Sequence, residues 1–224
     1  KLMDAVLKLS DENDVKLLNL ELSVDSSQSG FFKYNGFKYV KTEQLWKLEL
    51  ATVMHRLERL RSRLKIPEGW QLRAPEDRDL VGLREMAVTY NFRRAEEVFF
   101  NTEKMFPGIG YSREHCSVVE KNGTLVAALL VKGGPSTRGH VDMRMVAPEF
   151  MGQSSLLNLL LLERTVRLSL ESGYIDTGLT INLERDIETL NLCKRMAGKL
   201  QSEKALWLRY ADADFPDTVA NVLQ

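Results

Sequence analysis

Residues 29–50 read SGFFKYNGFKYVKTEQLWKLEL, and residues 195–210 near the other end read RMAGKLQSEKALWLRY. In each, a helical stretch stops at a glycine, Gly36 or Gly198. Strand-like alternation follows and carries a Leu-Trp pair in both cases, Leu45-Trp46 and Leu206-Trp207. A helix closed by glycine and continued as strand is a common local unit. Its recurrence makes a diffuse internal repeat, and a repeat of this kind changes how the chain is divided. The difficulty is position. Fewer than thirty residues precede the first copy, so it ends a domain for which there is little room.

The elements around the two copies run in parallel. Residues 1–15 begin as an amphipathic helix with Leu2, Val6 and Leu9 on one face. Residues 16–24 alternate as a strand, with Leu18, Leu20, Leu22 and Val24 on one side and Leu17, Asn19 and Glu21 on the other. Residues 25–35 fit a short helix capped by Asp25 or Ser26. FKYV and LWKLEL then read as two short strands. Around the second copy, residues 154–173 form a long helix with a wide apolar stripe. YIDTGLTI at 174–181 is a strand, ERDIETLNLCKRM at 184–196 a helix, and KLQS and ALWLRYA two last strands.

Between the copies, residues 51–66 form an amphipathic helix with Val53, Leu57, Leu60 and Leu64 in line, ended by Pro67 and Gly69. Its four arginines read first as the solvated side of a helix packed on a neighbour and second as a nucleic-acid face. The helix lacks interleaved stacking aromatics, so the first reading is preferred. WQLRAP at 70–75 is a strand, and residues 75–87 carry a helix with Leu80, Leu83 and Met86 turned inward. Residues 88–112 hold a further helix and a loop. CSVVEKNGTLVAALLVKG at 116–133 is a hairpin turning at Asn122-Gly123. GHVDMRMVA at 139–147 alternates as a strand.

Composition sets broad limits. The chain has 224 residues, 44% hydrophobic and 28% charged, enough for one large or two modest domains. Basic and acidic residues balance at 31 each, which gives no global pull toward nucleic acid or an anionic membrane. No apolar run reaches the ~20 residues of a membrane-spanning helix. Cys116 and Cys193 are too few for a disulfide scaffold and have no metal-ligand spacing. No metal site, nucleic-acid partner or membrane partner is therefore expected, and a cytoplasmic location is.

VAPEFMGQSSLL at 146–157 gives this order of elements a chemical meaning. With the repeat, it resembles the GCN5-related N-acetyltransferase superfamily. The family motif runs Val-x-Pro, an aromatic, a basic residue or Gln, then spaced glycines. Val146, Pro148, Phe150 and Gly152 match it. Met151 stands at the Arg or Gln position, and Ser154 and Leu156 stand at the later glycines. The resemblance implies an α/β fold with the mixed central sheet of acyl-CoA N-acyltransferases, plus the C-terminal portion of a second such module. Its expected divisions are residues 1–50 as the end of one module, 51–67 as a linker helix, 68–212 as a nearly whole module and 213–224 as a tail.

The implied cosubstrate is acetyl-CoA or another acyl-CoA, and the implied acceptor is a small-molecule or peptide amine. Its expected binding residues are Met145, Val146, Met151, Gly152, Gln153, Ser154, Ser155 and Asn182. The pyrophosphate would rest on amides at the start of the long helix. Ser154 is also open to reading as a plain helix cap. The expected catalytic groups are Asp176 and Asp142 as bases and Cys193 as proton donor. Cys193 stands where many relatives have a tyrosine, and it also reads as core packing. Glu184 and Asp186 read as favourable charges at a helix start, and His140 is a further candidate base. Tyr90, Phe92, Arg93, Arg94, Phe99, Phe100, Phe106 and Tyr111 form a candidate substrate wall. The rival reading is a degenerate module with a CoA-binding or assembly role.

Residues 1–50 alone would leave an exposed sheet edge. Three completions are open: a segment upstream of Lys1, another copy in a homodimer, or the sheet of the module at 68–212. The first, a missing N-terminal half, is the expectation.

Overall fold

A computed structural model describes residues 2–13, 15, 17–24, 26–60, 64–90, 98–100, 110–133 and 138–210. Their elements, in order, are α1 (Leu2–Glu12), β1 (Leu17–Ser23), α2 (Ser29–Tyr34), β2 (Lys38–Glu49), α3 (Leu50–Glu58), β3 (Trp70–Arg73) and α4 (Leu80–Thr89). Then follow β4 (Ser117–Lys121), β5 (Thr124–Gly133), β6 (Arg138–Val146), α5 (Ser154–Glu171), β7 (Asp176–Asn182), α6 (Ile187–Arg195) and β8 (Lys199–Tyr210). Short 3₁₀ turns at Asp77–Asp79 and Pro148–Gln153 lead into α4 and α5. The fold class is mixed α/β, as the sequence implies.

Two units emerge from the tertiary contacts. The first comprises residues 1–45, 181–190 and 200–224, and the second residues 46–180 and 191–199. Strands β2, β7 and β8 and helix α6 contribute residues to both.

In the first unit the strand order is β1-β8-β2. β1 and β8 are antiparallel, with Leu17 opposite Tyr210 and Ser23 opposite Lys204. On the other side of β8, the Tyr39 and Trp207 rings meet edge-on at 5.8 Å, and the Gln44 amide donates to Glu203. A strand from the C-terminal end of the chain thus lies between the two strands of the N-terminal segment. Two sequence expectations change here. FKYV and LWKLEL are not separate strands but one strand of 12 residues, and KLQS and ALWLRYA likewise merge into one of 12. The linking residues, Lys41–Gln44 and Glu203–Lys204, contain no glycine, proline or asparagine to make a turn, so the chain continues extended.

The second unit has the order β7-β6-β5-β4-β3. β3 to β6 are mutually antiparallel, and β6 and β7 are parallel. The hairpin turns at Asn122 and Gly123, with φ of 49° and 85°, the left-handed pair that an Asn-Gly turn provides. β5 is buried continuously from Val126 to Val131, which explains its unbroken apolar run. α5 packs on β4, β5, β6 and α3. Leu157 and Leu161 are fully buried in it, and Val53 and Leu57 are fully buried in α3. Burying each such leucine contributes about 1.5–3 kcal/mol.

A charged cluster pins β3 and β4 to the entry of α4. The Arg73 guanidinium donates twice to Asp79, at 2.6 and 2.8 Å, and also to Glu120. The Glu76 amide donates to Asp79 at 2.6 Å. Burial alone would raise the Asp79 carboxyl, but these hydrogen bonds outweigh it and hold the group below the usual carboxylate range.

Candidate functional site

The sheet of the second unit is irregular at two places, between β4 and β5 at Val119/Glu120 and between β5 and β6 at Leu130/Val131, and the second of these lies at the candidate site. Along β5 and β6, Leu130 faces Met143 and Val131 faces Val141, so Asp142 is the extra residue of a bulge. The parallel ladder between β6 and β7 starts at Arg138–Asp176 and has its last pair at Val141–Leu179. β6 runs on to Val146 with its other edge still paired to β5. Bulge and ladder end therefore coincide, and β6 continues past them as a one-sided strand.

The direction of the peptide groups on that stretch follows from the register. Val146 lies opposite Ala127, while the Ala147 amide donates to the Val126 carbonyl at 2.8 Å. This is the pattern of a non-hydrogen-bonded pair, so the N–H and C=O of Val146 point away from β5. The Tyr90 hydroxyl meets them there. It donates to the Val146 carbonyl at 2.7 Å and accepts from the Val146 amide at 3.2 Å.

At the bulge, Asp142 is the hub of a polar cluster. The Tyr111 hydroxyl donates to its Oδ2 at 2.5 Å, and the Lys132 ammonium lies 3.0 Å from the same oxygen. The ammonium also stands 5.4 Å from the Tyr111 ring centroid. Tyr111 is 2% exposed, and the Asp142 side chain 25%. His140 lies beside this cluster. Burial pushes its imidazole below its ordinary value, Asp142 opposes that shift and Lys132 adds to it, so it stands neutral at pH 7.

At the end of β6, Pro148–Gln153 forms a 3₁₀ turn into α5. Gln153 is the N-cap residue of α5 and makes no side-chain cap bond, so Ser154 is the first helical residue rather than the cap. A Cβ placed on Gly152 would meet nothing within 4 Å, and its φ is not left-handed. The fold of the free chain does not require glycine there; the missing side chain leaves open space at the helix start. Such a start, without a side-chain cap and with open space at Gly152, fits an anionic group. A cavity of about 840 Å³ flanks the same turn, between α4, the Lys121–Leu125 hairpin and Ala147–Phe150.

The fold has counterparts among solved structures. A GCN5-related N-acetyltransferase from Sphaerobacter thermophilus matches with a TM-score of 0.61 at 15% identity, over 96% of this chain and 69% of that one. A tandem protein of the same class (GNAT), from the clavulanic acid biosynthesis pathway, also gives 0.61, at 14% identity over 95% and 70%. A GCN5-related N-acetyltransferase from Kribbella flavida gives 0.56, at 12% identity over 92% and 73%. The fold is that of the GCN5-related N-acetyltransferases. No protein-family model matches the chain, and neither does any curated protein.

Within this GNAT fold the residues singled out from sequence fall into distinct places. Val146, Met151, Gly152, Gln153, Ser154 and Ser155 lie on the continuous run from the end of β6 into α5. Met145 is fully buried, and its position opposite Ala128, next to the Val146 pair, turns its peptide toward β5. Asp142 is at the bulge. Asp176 is at the opposite end of the parallel ladder, 7% exposed, with Lys47 at 2.7 Å and Arg138 at 3.4 Å. Cys193 is 1% exposed on α6. Burial pushes its thiol up to about 11, against the charge of Arg144.

Asn182 belongs to the first unit and organises the entry to α6. Its Oδ1 accepts from the Glu184 amide at 2.9 Å, and its own amide donates to Asp186 at 3.1 Å. Glu184 accepts the Tyr39 hydroxyl and the Thr42 amide. Of the candidate wall, Phe92, Arg93, Arg94 and Phe106 lie outside the described residues. Phe100 is 6% exposed beneath the Arg113 guanidinium, whereas Phe99 is 38% exposed. Sequence reasoning gave Lys132 no role. Its only signal was its place in the hairpin, two residues past the buried Leu130.

Proposed function

We propose that this chain is an acyl-CoA-dependent N-acyltransferase, with acetyl-CoA as the expected donor and an amine as acceptor. The observation that carries the reading is the one-sided stretch of β6. From the Asp142 bulge to Val146, β6 runs beyond its last pair with β7 toward the start of α5, with the Val146 peptide turned away from β5. An extended acyl-CoA fits such an edge, with its amide arm against the Val146 peptide and its pyrophosphate at Gly152–Ser155, where the helix start favours an anion. A peptide N–H on the same edge is the natural donor to the thioester carbonyl as it gains negative charge.

The proposed reaction needs no covalent enzyme intermediate. The neutral amine nitrogen attacks the thioester carbonyl carbon, a C–N bond forms, and the C–S bond breaks. The amine proton passes to a base, and the departing thiolate takes up a proton. Asp142 is our base, because it lies at the bulge where the edge opens and is 25% exposed. Asp176 is held by two cations at the far end of the ladder and serves better as a structural anion. The Cys193 thiol, raised by burial, keeps its proton at neutral pH. The proposed compartment is the reducing cytoplasm, where the two buried thiols would stay reduced.

A second reading, a non-catalytic module, is favoured by a specific feature: the position of the usual proton-donating tyrosine is taken by the almost fully buried Cys193. Calorimetry with acetyl-CoA separates the two in part. No heat at millimolar acetyl-CoA would overturn the enzyme reading. With binding in hand, an amine screen identifies the acceptor. Asp142→Asn should then lower kcat/KM by about 10²–10⁴-fold while leaving acetyl-CoA affinity nearly unchanged. An unaffected rate would remove Asp142 as the base.

A further inference from the structure

On β6, both peptide groups of Val146 leave the sheet and are met by a single side chain. Its N–H and C=O point away from β5, and the last β6–β7 pair lies five residues earlier, at Val141. An edge peptide of this kind pairs with an extended amide-bearing ligand in the manner of an added strand. Here the phenol of Tyr90 stands in for that ligand. One hydroxyl acts as acceptor to the N–H and donor to the C=O, at 3.2 and 2.7 Å. Tyr90 is the C-cap residue of α4, and its amide donates to the Met86 carbonyl, so the helix end fixes its backbone. The ring is only half-buried and lies beside exposed Met151, with 3.6 Å between hydroxyl and sulfur. It can therefore leave by side-chain rotation, without unfolding α4.

We propose that Tyr90 is a built-in competitor for the amide arm of coenzyme A at the Val146 peptide. The inference rests on the acyl-CoA reading above. The nucleotide end and the amide arm of CoA then make separable demands on the protein. The nucleotide end can bind with the phenol in place. The amide arm engages only when it displaces the phenol and returns both hydrogen bonds to Val146. Apparent CoA affinity is lowered by the fraction of molecules in which the phenol holds its place. Ligands without a matching donor and acceptor gain nothing at this position, so Tyr90 also filters what enters the edge.

The test is calorimetry on wild type and Tyr90→Phe with two probes: CoA, and 3′-phosphoadenosine diphosphate, which has the nucleotide end but no amide arm. Tyr90→Phe should bind CoA about tenfold more tightly, the order of magnitude for two competing neutral hydrogen bonds. It should bind the arm-less nucleotide as wild type does. Equal or weaker CoA binding by Tyr90→Phe would overturn the competitor role while leaving the acyl-CoA reading intact. So would equal tightening toward both probes. Absence of binding of either probe to either protein would overturn the acyl-CoA reading, and the competitor role with it. A readout that keeps the hydroxyl covers a variant that misfolds. The ¹⁹F signal of 3-fluorotyrosine at position 90 should shift on adding CoA and stay in place on adding the arm-less nucleotide. The same shift with both probes would refute displacement by the arm.

Discussion

The segments α1-β1-α2-β2 and α5-β7-α6-β8 share one order of elements, and each ends in a strand of 12 residues entered through a left-handed residue: Gly36 at φ 81° and Ala197 at φ 60°. Their burial differs. α5 buries Leu157, Leu160, Leu161, Leu162 and Val166, whereas Val6 and Leu9 of α1 remain 40% and 58% exposed. α2 buries nothing, whereas α6 buries Cys193. β1 alternates between half-buried and exposed, whereas most of β7 is buried. Similar local sequence therefore produces similar elements, while the depth of burial depends on what each element packs against. The insertion of β8 between β1 and β2 shows how far that partner can lie in sequence.

The largest expected effect tests this difference in depth. Leu161→Ala removes a fully buried side chain of α5 and should destabilise by about 2–5 kcal/mol in chemical denaturation. Leu9→Ala, at the matching amphipathic face of α1, should change stability by about 0.5 kcal/mol or less. If the two cost the same, α1 is covered in solution and the asymmetry between the segments disappears.

Ion pairs make the same comparison at smaller scale. Arg73–Asp79 is buried, with Asp79 5% exposed, whereas Glu21–Lys204, joining β1 to β8, has both side chains 56% exposed. Asp79→Asn should cost on the order of 2 kcal/mol, because it leaves Arg73 short of a charged acceptor. Glu21→Gln should leave the thermal midpoint essentially where it was. The depressed Asp79 carboxyl adds a pH signature. Its folded value lies below the unfolded one of ~3.9, so its contribution is complete above that value and is lost as pH falls through the folded value. Wild type should lose stability below about pH 4 more steeply than Asp79→Asn. Coincident acid profiles would mean that Asp79 is not what the acid limb reports.

The fold was legible where pattern and turn chemistry agree. Asn122-Gly123 marked its hairpin, the apolar run from Val126 to Val131 marked a buried strand, and the stripe from Leu157 to Val166 marked the long helix. β2 and β8 were read as two strands each because charged residues interrupt their apolar alternation. Those residues face pairing partners about 160 positions away, as Gln44 and Glu203 do, and single-segment periodicity has no access to such pairing. The passage from β6 into α5 was legible from Val146 to Ser154, because the Val-x-Pro run and Gly152 interrupt the alternation before the long apolar stripe. The Asp142 bulge was not legible: one extra residue between Val141 and Met143 leaves no mark in composition. Nor was the meeting of Tyr90 with Val146, which joins residues 56 positions apart through a peptide rather than a side chain.

The two glycines with which the repeat was first aligned should behave differently from each other. At Gly36 the need is conformational. Its φ is 81°, and an added Cβ would come within 3.3 Å of only the flexible Arg209 side chain. Gly36→Ala should therefore cost about 1 kcal/mol, the penalty of a left-handed alanine. In the second copy that conformation has moved to Ala197, and Gly198 serves a different need. A Cβ there would lie 3.0 Å from both the Cys193 carbonyl oxygen and the Leu48 side chain. Gly198→Ala should cost about 1–3 kcal/mol through crowding, unrelated to φ. Ala197→Gly should stabilise by roughly 0.5 kcal/mol, since relief of the left-handed strain is only partly offset by glycine's greater chain entropy. Thermal denaturation of the three variants checks both signs at once. If Ala197→Gly destabilises, or Gly198→Ala is neutral, the two helix ends are not variants of one device and their alignment fails at its best-matched point.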